Sequence, residues 1–143
     1  MTAAGLVAVD TSVAVPLLVA SHQHHARVSA WARGRTLCLT GYSLGETYSV
    51  LTRLPGDARV SAPDAVRLID ENFAPPLVLS ARTARGCHRA CADRGVTGGA
   101  TYDALVALAA RDHEVPLATR DGRARSTYEA IGVVVEQLPM PDR

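Results

Sequence analysis

The chain has 143 residues, 48% of them hydrophobic and 20% charged, which is the size and composition of one folded domain spanning 1–143 and excludes a disordered or low-complexity protein. A formal net charge of +1 excludes nucleic-acid binding by bulk electrostatics, so any such contact must come from local patches. All 15 basic residues are arginine, which excludes P-loop, Schiff-base and serine–lysine chemistry.

No segment has the unbroken apolar length of a membrane span, and residues 1–5 place no basic region ahead of an apolar stretch, so a soluble cytoplasmic protein is expected. In chain order, short apolar runs at 6–9, 37–39, 77–79, 115–118 and 133–135 read as strands. They lack the alternation of a sheet wetted on one face, and helical stretches separate them. That pattern predicts parallel strands covered on both sides, a three-layer α/β/α sandwich.

Between the strands, His25 opens an amphipathic helix candidate with Ala26, Val28, Ala30 and Trp31 set among polar residues. In the helix after the second strand, Leu44, Tyr48 and Leu51 form the expected apolar stripe, and Glu46 falls away from it. Residues 54–57 and 73–76, rich in Pro and Gly, read as turns. Ser61-Ala62-Pro63-Asp64 supplies an N-cap, a first-turn proline and an early carboxylate for the next helix. Cys87 and Cys91 lie one helical turn apart, but no further ligands converge on them. With Cys38 they suit a reducing compartment and read as small apolar residues. The run 104–110 is apolar on every face and predicts a buried central helix. The tail 139–143 should fray.

Four carboxylates stand where such a fold places its chemistry. Asp10 ends the first strand and Asp121 lies just beyond the fourth, at the carboxyl edge where open α/β sheets bind ligands. Asp103 opens the apolar helix, a position the helix dipole alone would favour by about 0.3–1 kcal/mol. Glu46 is not aimed at that edge by periodicity. If all four converge, each close pair repels by about 4 kcal/mol at 4 Å and an effective dielectric of 20, so the cluster requires protons or cations. Oxygen donors without a Cys or His cluster select Mg²⁺ or Mn²⁺ over zinc.

The sequence Val9-Asp10-Thr11-Ser12, Glu46 within a helix, Thr101-Tyr102-Asp103-Ala104, and Thr119-Arg120-Asp121 together resemble the PIN-domain family, and in particular its VapC-type toxins, over essentially the whole chain. The resemblance implies a five-stranded parallel sheet and Mg²⁺- or Mn²⁺-dependent endoribonuclease activity on RNA such as transfer or ribosomal RNA. It also implies a homodimer and a cognate VapB-like antitoxin. It further implies that Asp10, Glu46, Asp103 and Asp121 are the metal-binding and catalytic quartet. Asp10 and Asp103 would be direct ligands; Glu46 and Asp121 would bind directly, bind through water, or orient the attacking water. Ser12 and Thr119 would be hydroxyl neighbours able to bond a carboxylate, a metal-bound water or a phosphate. Many relatives carry a large apolar or aromatic residue three positions after the last aspartate, where this chain has Ala124.

Arg120, Arg123 and Arg125 bracket Asp121, and the first two are expected substrate-binding residues. Arg82, Arg85 and Arg89 share a helix face that is either a phosphate grip or a solvated surface. His22, His24 and His25 lie at a helix entry without acidic or cysteine neighbours in sequence and read as a loop without metal. The apolar stretches 13–19 and 42–54 are expected to form a groove for a partner helix. An aspartate-nucleophile phosphatase would need a second aspartate where Ser12 stands, and a dinucleotide site would need glycines after the first strand. A PIN-like module that binds RNA or protein without cutting is the remaining alternative, but it would have no need of four mutually repelling carboxylates.

Overall fold

The structure is a computed structural model that describes residues 5–139; the rest of the expected fraying tail, 140–143, lies outside the described residues. Five strands, β1 (Leu6–Val9), β2 (Thr36–Thr40), β3 (Ala74–Leu77), β4 (Leu117–Thr119) and β5 (Val135–Gln137), form one sheet in the order β3-β2-β1-β4-β5. Every pairing is parallel, with Ala8 opposite both Cys38 and Leu117.

Successive strand residues point to opposite faces, and both faces are buried. Ala8, Cys38 and Leu117 pack on one side with α5 (Ala81–Asp93), α6 (Ala100–Asp112) and α7 (Gly122–Ile131). Val7, Val9, Leu37, Leu39 and Ala118 pack on the other with α1 (Thr11–Leu18), α2 (His25–Ala32), α3 (Gly41–Thr52) and α4 (Ala62–Asn72). This is the expected three-layer sandwich. As its composition predicts, α6 is the buried helix, with Ala104, Val106, Ala107, Leu108, Ala109 and Ala110 all enclosed. Ser61 caps α4 by accepting from the Asp64 amide, as expected.

Several sequence expectations are corrected. Residues 73–76 are not simply a turn: strand β3 takes in Pro75 and Pro76 and ends at Leu77, where the expected strand would only begin. Proline is tolerated because β3 is an edge strand with a partner on one side only. The fifth strand begins at Val135 rather than Val133, because α7 closes through Gly132 at φ 93° and Val133 is spent in the core. On α3 the buried stripe is Ser43, Thr47 and Leu51, whereas Tyr48 is exposed. Ser43 is held inward by a reciprocal cap with Thr40 and by donation to the Val9 carbonyl. Only Val28 of the α2 face is buried. Within the expected partner stretch 13–19, Val13, Ala14, Val15, Pro16 and Leu18 are buried. Among the described residues no helix is long and apolar enough to cross a membrane.

Candidate active site

The carboxyl ends of β1 and β4 lie side by side, and the segments leaving these two strands supply two of the four carboxylates. Asp10 is the N-cap residue of α1, but its carboxylate makes no cap bond to that helix. Instead it accepts three hydroxyls: Ser12 Oγ on Oδ1 at 2.6 Å, and Thr119 Oγ1 and Tyr128 Oη on Oδ2 at 2.6 and 2.7 Å. Bonds of this length to a carboxylate are charge-assisted and strong. Burial pushes the Asp10 carboxyl above its ordinary range, the three hydroxyls pull it back, and Asp121 adds repulsion.

Asp121 caps α7, accepting from the Arg123 and Ala124 amides at 2.9 and 3.4 Å through Oδ1, so the positive end of that helix faces its charge. The Asp121 amide donates to Thr119 Oγ1 at 3.0 Å, which joins the two aspartates through one buried hydroxyl. Glu46, one turn into α3, accepts from Thr11 Oγ1. It flanks Thr47 of the buried stripe, and so reaches the sheet edge that the expected Leu44–Tyr48–Leu51 stripe pointed away from. Asp103 sits in the first turn of α6. Its carboxyl is pushed up to about 6, first by burial and then by Asp121, Asp10 and Glu46.

Asp10, Glu46, Asp103 and Asp121 line one cleft of ≈ 150 Å³ together with Thr11, Ser12, Val106, Ala124 and Tyr128. Its lining holds no Cys or His, so its chemistry is that of hard oxygen donors. The carboxylates converge without forming a closed cage: among the described residues no three His, Cys, Asp or Glu side chains are already grouped to grip an ion. The donor type and the excess negative charge nevertheless fit a small divalent cation.

Other expected site residues fall at different depths. Of the three partners envisaged for Ser12 and Thr119, each uses a carboxylate. Thr119 is fully buried and stands behind Asp10, bonded to its Oδ2. Arg120 donates from its amide to Ser12 Oγ at 2.9 Å and from Nη1 to the Ser12 carbonyl at 3.3 Å. The Arg123 side chain is 97% exposed and stands 4.0 Å from Asp121 Oδ1. Arg125 pairs with Glu129 along the helix. Arg82, Arg85 and Arg89 are exposed on α5.

Tyr128 and Thr11 escaped the sequence reading. Tyr128 had a signal, since it follows Ala124 and precedes Ile131 on one buried face of α7; one turn on from Ala124, it supplies an aromatic ring to the cleft. Tyr42 and Tyr102, stacked with centroids 5.4 Å apart, are exposed beside Glu46 and Asp103.

A doubly covered parallel sheet with acidic side chains gathered beyond its carboxyl edge suits a metal-assisted phosphodiester hydrolase. A family model described as PIN domain matches residues 7–130, and the chain belongs to the PIN-domain family and, within it, to the VapC-type ribonucleases. It is similar to Ribonuclease VapC27 of Mycobacterium tuberculosis, with 59% identity over 128 residues that cover 90% of this chain and 93% of that one. Among solved structures, VapC20 of the same organism, described as a sarcin-ricin loop cleaving toxin, aligns with a TM-score of 0.64 at 19% identity, covering 90% of this chain and 96% of that one. VapBC2 from Rickettsia felis, bound to a DNA fragment from their promoter, gives a TM-score of 0.64 at 13% identity, covering 94% and 99%. At those identities the two structures share the fold.

Proposed function

We propose that this chain hydrolyses RNA phosphodiester bonds at the four-carboxylate cleft with Mg²⁺ or Mn²⁺, as the toxin of a toxin–antitoxin pair. The observation that carries the reading is that Asp10, Glu46, Asp103 and Asp121, from four distant stretches of sequence, line a single cleft. A divalent ion bound there would neutralise the phosphodiester and supply hydroxide from water at neutral pH.

The chain's own residues divide the remaining work. Ser12, Thr119 and Tyr128 fix the Asp10 carboxylate by donating to both its oxygens, so it acts as a rigid ligand. Asp103, whose carboxyl burial and the neighbouring carboxylates push up to about 6, is the second direct ligand, since a cation there would offset that repulsion. Glu46, braced by Thr11, and Asp121, braced by the α7 amides, orient the attacking water or complete the ligand set. Arg123, at the exposed rim, meets the RNA backbone.

Transfer or ribosomal RNA is the proposed substrate. The proposed partners are a VapB-like antitoxin and a second copy of this chain, and the proposed location is the cytoplasm. The test is cleavage of total cellular RNA by purified protein. Activity should require Mg²⁺ or Mn²⁺, stop with EDTA, and vanish in Asp10→Asn and Asp103→Asn variants whose circular dichroism is unchanged. Cleavage persisting in either variant overturns the assignment.

A further inference from the structure

Aromatic side chains make up only 4% of the residues, and the tyrosines divide by use. Tyr128 is enclosed, with its hydroxyl spent on Asp10. Tyr42 and Tyr102 are instead stacked on each other at the surface, with centroids 5.4 Å apart and planes inclined by 21°, and they remain 36% and 54% exposed. A pair whose only use was to seat α3 against α6 would be covered, since ring surface left in water forgoes the gain from burial.

The position of this pair follows from its neighbours in the chain. Tyr42 lies in the first turn of α3, four residues before Glu46 and so on the same side of the helix. Tyr102 lies in the first turn of α6 and immediately precedes Asp103. Glu46 and Asp103 both line the acidic cleft, so the stack bridges the two helices at its mouth.

A second hollow, of ≈ 400 Å³, continues from there over the outer face of α3 and is lined by Gly41, Tyr42, Gly45, Glu46, Ser49 and Arg53. Glu46 borders both hollows, which makes them one continuous surface. Tyr42, Glu46, Ser49 and Arg53 recur at helical spacing, a stripe about 16 Å long at ~1.5 Å per residue. Gly41 and Gly45 leave its floor free of side chains, and a Cβ at Gly45 would meet nothing within 4 Å.

A partner helix would want aliphatic side chains, and this lining has none. What it offers is flat ring surface at one end, a hydroxyl between, and a guanidinium at the other, which are the groups that hold a base and a phosphate of a single strand. We infer that Tyr42 and Tyr102 form a stacking platform for the base of a nucleotide beside the scissile phosphate, and that the strand leaves the cleft over α3 toward Arg53. That assignment rests on the ribonuclease reading and deepens it. It makes the substrate an unpaired stretch of RNA, because a base inside a helix has both faces covered by its neighbours.

The test is anisotropy in EDTA, where RNA binds without being cut, with two fluorescein-labelled probes about ten nucleotides long, within the range of a single-strand site. One is an oligouridylate and the other is the same ribose–phosphate chain without bases. Tyr42→Ala together with Tyr102→Ala should weaken oligouridylate binding by about fivefold to a hundredfold, the loss of one base–aromatic stack, and leave the abasic probe unaffected. Tyr42→Phe together with Tyr102→Phe keeps both ring faces and should keep the affinity. Tyr102→Leu, which retains apolar bulk without a ring, should lose oligouridylate selectively even if the double alanine variant fails to fold. Arg53→Ala should weaken both probes alike and make the salt slope shallower by about 0.7, one phosphate contact on a single strand.

Equal losses on the two probes, or no loss on either, in folded Tyr102→Leu protein would overturn the platform, and an unchanged salt slope in Arg53→Ala would overturn the path over α3. A change of oligomeric state in the tyrosine variants with oligouridylate binding intact would also overturn the proposal, because the rings would then seat a second copy of the chain. Failure of the nuclease reading is seen separately, as cleavage of total RNA surviving Asp10→Asn in protein with both tyrosines in place.

Discussion

Replacing Asp103 with Asn should make the metal-free protein more stable while abolishing its activity. The folded carboxyl is held at about 6 against an ordinary 3.8. Between those values the folded form keeps a proton that the unfolded chain has released. Stability therefore falls as pH rises through this window, and the full penalty is present above it. At about 1.4 kcal/mol per decade the penalty would reach ~3 kcal/mol. Asp103 is only half-buried, so solvent screening reduces it to ~1.5 kcal/mol. Losing the charge from the first turn of α6 gives back about 0.5 kcal/mol, which leaves a net gain of ~1 kcal/mol for Asp103→Asn. In a chain of this size that is about 3–4 °C in Tm. Melts in EDTA at low salt should show this gain near pH 7.5 and its disappearance near pH 4. Mg²⁺ should raise the Tm of the natural chain by mass action, and that of the variant less. If Asp103→Asn melts at or below the natural chain near pH 7.5, the four carboxylates do not share one field and the account of the cleft fails.

Tyr128→Phe removes one of three donors from a buried carboxylate and should cost about 1.5–3 kcal/mol, read as a lower urea midpoint with unchanged slope; an unaltered midpoint would show that the hydroxyl does not hold Asp10. Arg123→Ala, at a side chain 97% exposed, should leave stability within about 0.5 kcal/mol. The same substitution should weaken RNA binding and lower the salt slope by about 0.7, and unchanged binding at every salt concentration would take Arg123 out of the RNA path.

The layered fold was legible because burial on both faces of a parallel sheet writes itself as uninterrupted apolar runs, as in Leu6–Val9, and an enclosed helix as apolar residues all round, as in α6. The placement of β3 was not, because Pro75 and Pro76 signal a turn locally while an edge position tolerates them. Asp10 and Asp121 were legible from their places after β1 and β4. Glu46 was hidden: the stripe that seats α3 is made of Ser43 and Thr47, two hydroxyl residues that hydropathy counts as polar. Tyr128 was missed for a related reason, since its hydroxyl has meaning only once Asp10, 118 residues away in sequence, is opposite it.

Ser12 ties the acidic cleft to Arg120. Its hydroxyl donates to Asp10 Oδ1 and accepts from the Arg120 amide, and its carbonyl accepts from the Arg120 guanidinium. One residue thus sets the spacing between the ligand that would hold a cation and the side chain that would hold a phosphate. A formal net charge of +1 gives no long-range pull on RNA, so charge must be separated locally: acidic where an ion is to be bound, basic one residue along the same strand end. Two such poles close together in the bare protein would attract each other and collapse the cleft if both were free to move. The hydroxyl network of Ser12, Thr119 and Tyr128 opposes this by holding the Asp10 carboxylate with short neutral donors, one on Oδ1 and two on Oδ2, which leaves Oδ1 a lone pair for a cation while Arg120 bonds backbone oxygen.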